Sequence, residues 1–183
     1  MKIESKKHSS QVIKNLNLNR VPELILNQFD KDAIAEFCDK NKSNLYILRD
    51  LQNPSGKYYF CKTKKECVDN SKNYKGDFSI AISCFAYNGI VLVGEIYISK
   101  ENVVLVGRND KDANHRNLYE KPCVNFNTTL EDNSLWEAQG VEEIIGYVVE
   151  HNLYDMVIEF IVYDHEVGVN NEKILIVELR TEY

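Results

Sequence analysis

Apolar residues in this chain gather in strand-length runs broken by turn residues, and that spacing limits the folds open to it. Ile90–Ile98, Met156–Tyr163 and Lys173–Arg180 are such runs, with Asn44–Leu51, Lys57–Lys62, Asp77–Tyr87 and Asn102–Arg108 as further strand candidates. Asn53-Pro54-Ser55-Gly56 and Asn88-Gly89 supply turn chemistry between neighbours, and Gly168 lies in a nine-residue turn before the last strand. Short returns of this kind make antiparallel pairs. Asp77–Tyr87, Ile90–Ile98 and Asn102–Arg108 together read as a meander.

Helices announce themselves through caps. Asp30 caps a segment whose Ala33, Ile34, Phe37 and Cys38 recur at helical spacing, with Phe29 and Ile34 spaced as a hydrophobic staple. Thr63-Lys-Lys-Glu66 is a capping box opening a helix to about Tyr74. Ser134-Leu-Trp-Glu137 is another, and behind it Ala138, Val141, Ile145, Val148 and Val149 form one stripe, with Glu142, Glu143 and Glu150 mostly off it. Residues 1–20 are polar and read as loosely held, and residues 109–133 as a long irregular loop containing His115 and Arg116. From residue 44 the order is therefore β-β-α-β-β-β-loop-α-β-β. That is an α+β plan of mainly antiparallel mixed sheets with flanking helices.

With 183 residues, 44% of them hydrophobic, the chain can bury a core, and disorder is excluded. Asp and Glu number 28 against 22 Lys and Arg, a formal charge of −6 that disfavours a nucleic-acid partner held by a broad basic face. No apolar run approaches the ~20 residues of a membrane-crossing helix, and the polar start has no apolar core of a secretory signal. Cys38, Cys61, Cys67, Cys84 and Cys123 are odd in number and scattered, which reads as buried reduced thiols and a cytoplasmic address. His8, His115, His151 and His165 read as surface residues, and Tyr58, Tyr59, Phe60, Phe78 and Phe85 as core.

Charged residues inside the apolar runs carry the functional question. Glu178 and Arg180, two apart on one strand, share a face, and Glu159 on a paired strand could join them. This set reads either as a solvated strand face with a cross-strand ion pair or as a site for a metallated phosphate, because Mg²⁺ prefers carboxylates together with water and phosphate oxygens. Arg49 and Lys57 flank a hairpin, and Glu95 interrupts the run Val91–Ile98. Each is open to a bland reading as surface or edge-strand charge.

Three stretches in order resemble the ATP-grasp family. The first is Ile47-Leu48-Arg49-Asp50 with the Ser55-Gly56-Lys57 turn and the helix from Thr63, similar to the family's phosphate-binding strand and glycine-containing turn, with Arg49 where the family usually has Lys. The second, Val91 to Ile98, resembles its hinge strand, whose backbone meets adenine and whose acidic residue, here Glu95, holds the ribose region. The third, Val157-Ile-Glu159-Phe160 and Ile176-Val-Glu178-Leu-Arg180, is similar to its closing strand pair, although the familiar Glu-x-Asn stands here as Glu-Leu-Arg.

The resemblance implies an ATP-grasp-like two-lobed arrangement over residues 44–183, with a hinge near 94–98, preceded by an N-terminal segment 1–43 with one helix. It implies ATP and Mg²⁺ as cofactors and a small-molecule nucleotide as partner, with carboxylate–amine ligase chemistry through an acyl phosphate. In that arrangement Arg49, Lys57 and Glu95 bind the nucleotide, Glu159 and Glu178 hold metal, and Arg180 is the catalytic residue, contacting the γ-phosphate or the acyl phosphate. A non-catalytic binding or scaffolding domain is one alternative. Another is a restriction-like nuclease built on Asp164, Glu178 and Arg180, with the Arg a poor general base.

Overall fold

The computed structural model describes residues 2–53, 57–100, 102–110, 112–115 and 117–181. The expected turn at Pro54–Gly56, and Arg116, lie outside the described residues. The chain divides into two compact units. The smaller comprises residues 5–8 and 21–88, and the larger residues 1–4, 9–20 and 89–183.

The elements run in the order α1 (Lys6–Asn15), β1 (Glu23–Leu26), α2 (Lys31–Lys40), β2 (Tyr46–Asp50), β3 (Tyr58–Cys61), α3 (Lys64–Ser71) and β4 (Phe78–Ile82). They continue with β5 (Ile90–Ile98), β6 (Val103–Arg108), β7 (Val124–Thr128), α4 (Val141–Glu150), β8 (Val157–Val167) and β9 (Glu172–Arg180). Every strand pairing among the described residues is antiparallel.

In the smaller unit the sheet order is β1-β4-β2-β3. The Asp30 carboxylate accepts from the backbone N–H of Asp32 and Ala33 and starts α2, whose Ile34 and Cys38 are buried. Thr63 caps α3 by accepting from Glu66 N–H, and Glu66 reaches back to the N–H of Lys62, one residue beyond the usual capping-box partner. Ile34, Leu48, Cys67, Phe78 and Ile80 form the heart of this core, and Tyr74 stacks on Phe78 with ring centroids 5.1 Å apart. Tyr58 and Phe60 are exposed instead of buried because β3 is an edge strand on which alternate side chains point outward, and Phe85, in the 3-10 turn after β4, is exposed as well.

In the larger unit the order is β7-β6-β5-β8-β9. One face carries Leu92, Ile96, Leu105, Ile158, Phe160 and Ile176 into a core shared with Ile144 and Val148 of α4 and Val12 and Ile13 of α1. Several features depart from the sequence expectation. Residues 6–15 form a helix, not a loosely held tail, because Val12 and Ile13 anchor it although its mean hydropathy is low. Asn88-Gly89 does not close a hairpin: β4 pairs with β1 and β2, whereas β5 pairs with β6 and β8. β7 arises inside the expected loop. Last, the helix expected from Ser134 begins only at Val141; Asp132 caps a 3-10 turn over Asn133–Glu137, and Gly140, at φ +84°, turns the chain into α4. β8 and β9 also extend further than expected, leaving a short turn around Gly168 (φ +78°).

Of the cysteines, Cys38, Cys61, Cys67 and Cys84 are buried, whereas Cys123 is exposed. No helix among the described residues is long and apolar enough to cross a membrane.

Candidate functional site: a carboxylate row in the larger sheet

Register builds the site. Glu95 on β5 sits opposite Glu159 on β8, and Glu159 sits opposite Glu178 on β9. Directly paired residues share a face, so three carboxylates stand in one transverse row on the face turned away from the α4 core. An irregularity makes this alignment possible. Glu159 pairs with Glu178 but Phe160 pairs with Ile176, leaving Val177 as the extra residue of a β-bulge. In-plane alternation along β9 is shifted there, so Ile174 and Ile176 enter the core while Glu178 and Arg180 take the opposite face.

Arg180 supplies the positive charge. Its Nη2 lies 2.8 Å from Glu95 Oε1 and 3.5 Å from Glu159 Oε1. Burial works against its charge, but Glu95, Glu159 and Glu178 together outweigh that cost and raise its pKa. Its Nε is buried without a hydrogen-bond partner. Glu95 is buried, and its second oxygen accepts from the Tyr119 hydroxyl at 2.8 Å. Tyr119 belongs to the segment after β6. Arg108, on the same sheet face, also ties that segment down: it grips the Asp110 carboxylate and donates to the Asn117 carbonyl at 3.0 Å.

The sequence pattern thus brings together Glu159, Glu178 and Arg180 as expected. Glu95 joins that row, whereas the resemblance gave it to a nucleoside hinge. Both backbone edges of β5 are occupied, by β6 and β8, so residues 94–98 present no free edge to an adenine ring. Arg49 and Lys57 belong to the smaller unit. Arg49 is paired with Tyr58 on one face of the β2–β3 hairpin, whereas Lys57 lies across from Asp50 on the other. Lys57 lines a cavity of about 510 Å³ with Asp50, Tyr59, Asn73, Tyr74 and Asp77.

Tyr119 was not a sequence candidate. Only its position after a strand that also bears Arg108 hinted that its segment would return to this face.

The nuclease constellation does not form. Glu178 faces Glu159, and Asp164 lies five residues further along β8, roughly 16 Å away at a strand's rise. There it bonds to His165 Nδ1 at 2.6 Å.

Glu159 and Glu178, directly across one strand pair, have the hard oxygens that a single Mg²⁺ takes alongside water and phosphate oxygens. Among the described residues no group of three or more His, Cys, Asp or Glu is placed to hold a metal by itself.

No protein-family model and no curated protein matches the chain. Solved structures do resemble it. D-alanyl-alanine synthetase A from Vibrio cholerae matches with a TM-score of 0.53 at 12% identity, over 96% of this chain and 54% of that one. N5-carboxyaminoimidazole synthase from Aspergillus clavatus, solved with ADP and an aminoimidazole ribonucleotide, matches at 0.57 and 9% identity, over 99% and 45% of the two chains. An L-amino acid ligase from Bacillus licheniformis matches at 0.50 and 11% identity, over 98% and 40%. The fold is ATP-grasp-like: α+β, with two antiparallel sheets and flanking helices. The chain spans about half the length of the synthetases and ligases it matches.

Proposed function

We propose that this chain binds Mg²⁺–ATP, and that it serves ATP-dependent carboxylate–amine ligation. The observation that carries the reading is the row Glu95–Glu159–Glu178 with Arg180 laid across it, on an ATP-grasp-like fold. Glu159 and Glu178 hold Mg²⁺. The metal, when bound, offsets charge on the phosphate oxygens and draws electrons from the γ-phosphorus.

Arg180 presents its half-exposed guanidinium to the γ-phosphoryl group, and Glu95 fixes that guanidinium from beneath. In the reaction an oxygen of the substrate carboxylate attacks the γ-phosphorus, and the bond to the β-phosphate oxygen breaks to release ADP. The amine lone pair then attacks the acyl carbon, phosphate leaves, and the amine loses a proton to solvent. A binding domain without turnover is the second reading, favoured because Arg180 stands where a neutral ligand would serve a further metal.

Thermal unfolding with and without millimolar Mg²⁺–ATP tests the proposal. A ligand at 100 times its Kd adds about 2.7 kcal/mol to native stability. An upward shift requiring both ATP and Mg²⁺ is expected, and an unchanged transition rejects it. A shift without ADP release over hours selects the non-catalytic reading.

A further inference from the structure

We propose that Cys61 and Cys67 are a peroxide-oxidisable dithiol, which closes to a disulfide between the end of β3 and α3, with Cys61 as the nucleophile. The inference lies wholly within the smaller unit and is independent of the Mg²⁺–ATP reading. Three cysteines scattered along the sequence meet in the core of that unit: Cys38 on α2, Cys61 as the last residue of β3, and Cys67 on α3. Cys67 is the middle member, with side-chain hydrogen bonds to both Cys38 and Cys61. Cys67 and Asn70, three apart, share one face of α3, and the Asn70 amide nitrogen donates to Cys61 Sγ at 3.4 Å.

Two donors converge on the Cys61 sulfur, the Cys67 thiol foremost and Asn70 with it, and they lower its pKa to about 7 although burial opposes them. Cys67 lowers the Cys38 pKa too, against burial and the neighbouring Asp39 carboxylate. Holding its hydrogen in these bonds pushes the Cys67 pKa up, so it stays a thiol. A thiolate, not a thiol, is what a peroxide oxidises. The Cys61 sulfur attacks one peroxide oxygen, the O–O bond breaks, and the departing hydroxide takes up the proton that Cys61 gave to solvent, leaving as water. The Cys67 sulfur then attacks the sulfur of the resulting sulfenic acid. The S–O bond breaks, the S–S bond forms, and the Cys67 proton leaves with the hydroxyl as a second water. Two thiols are oxidised and one peroxide is reduced to two waters. Entry is by local opening: β3 is an edge strand and α3 has eight residues, so this corner can part from the core without global unfolding.

The test is treatment of the full chain carrying Cys123→Ser, which removes the exposed thiol, with millimolar hydrogen peroxide under native conditions. Free thiols are counted after denaturation, and tryptic peptides are mapped without reduction. Cleavage at Lys62, Lys64 and Lys65 separates Cys61 from Cys67, so a disulfide between them appears as two linked peptides. A fall from four thiols to two is expected, with residues 58–62 linked to 66–72, and dithiothreitol should restore all four. A further Cys67→Ser change keeps a donor hydroxyl but removes the resolving sulfur, so the sulfenic acid should persist and be trapped on Cys61 by dimedone. Four thiols remaining after peroxide, or a link that runs to Cys38 or Cys84, overturns the inference. Dimedone on Cys38 and not on Cys61 overturns the choice of nucleophile. The peptide map of the Cys123→Ser chain decides the pairing even where Cys67→Ser fails to fold.

Discussion

Arg180 and Glu95 lie on strands that do not pair, β9 and β5 with β8 between them, yet their side chains meet at 2.8 Å above Glu159. A long guanidinium stem is what spans the intervening strand, and its charge is shared between the two carboxylates it crosses. Glu95→Gln keeps the size and an acceptor for Tyr119 but removes the buried charge. The expected loss is about 1–3 kcal/mol, at the lower end because Arg180 is more than a third exposed and water screens the pair. Denaturant unfolding measures it; an unchanged midpoint would show that the pair contributes nothing to the fold.

Glu159 and Glu178 stand directly opposite with like charge, which costs a sheet roughly 0.2–1 kcal/mol. Glu178→Gln should therefore leave the ligand-free protein as stable as the parent or slightly more so. The same change should abolish the Mg²⁺-dependent part of the thermal shift produced by ATP. That opposition of signs is the mark of a residue kept for binding at a cost in stability. A variant that loses stability and still responds to Mg²⁺–ATP like the parent would assign Glu178 a structural role.

How far these relationships can be read from the chain depends on which are local. The two-residue spacing of Glu178 and Arg180 places them on one face by strand geometry alone, and the caps at Asp30 and Thr63 fix helix starts with nothing else needed. Register is not local. That Glu95 falls in line with Glu159 depends on how β5 docks on β8, and that Glu178 completes the row depends on a bulge at Val177 which no turn residue marks.

The Asn88-Gly89 signal was chemically sound, since Gly89 does adopt φ +74°. A left-handed residue specifies a change of chain direction and not the partner that follows, so a turn between two sheets looks the same as a hairpin. α1 was hidden because its few apolar residues sit among polar ones, and β1 because four residues are too few to show a period.

The segment after β6 should loosen in acid. Arg108, almost fully buried, grips the Asp110 carboxylate with two N–H groups, and that contact, together with the backbone N–H of Asp112, holds the Asp110 pKa below the ordinary aspartate value. A carboxyl with a depressed folded pKa contributes its full stabilisation above its unfolded pKa of about 3.9. It loses that contribution as the pH falls through the lower, folded value. Carboxyl-carbon NMR titration should place the Asp110 midpoint below 3.9, with amide protection in residues 112–119 falling over the same interval. A midpoint at or above 3.9 would contradict the bidentate pair. Asp110→Asn should lower the melting temperature more than Asp69→Asn does, because Lys72, the partner of Asp69, is exposed to water whereas Arg108 is not.

The turn that lets β9 return along β8 depends on Gly168 and on Asn19, which is fully buried. The Asn19 amide nitrogen donates to the carbonyls of Val167 at 2.9 Å and Ile174 at 2.7 Å, and its oxygen accepts from Asn170 N–H at 2.9 Å, so one side chain ties both strands and the turn. Gly168 has φ +78°, and a Cβ there would lie 2.5 Å from Asn19 Oδ1 and 2.8 Å from the Arg20 carbonyl oxygen. The second neighbour is backbone and cannot step aside. Gly168→Ala should therefore cost about 1–3 kcal/mol through strain and loss of the Asn19 contacts. Because β9 carries Glu178 and Arg180, the shift in its register should also weaken any Mg²⁺–ATP response, although no site residue has changed. Unfolding and nucleotide titration of the one variant measure both effects. Full retention of the parent's stability would mean the turn can relax around the methyl group, and that the Asn19 clamp does not set the position of β9.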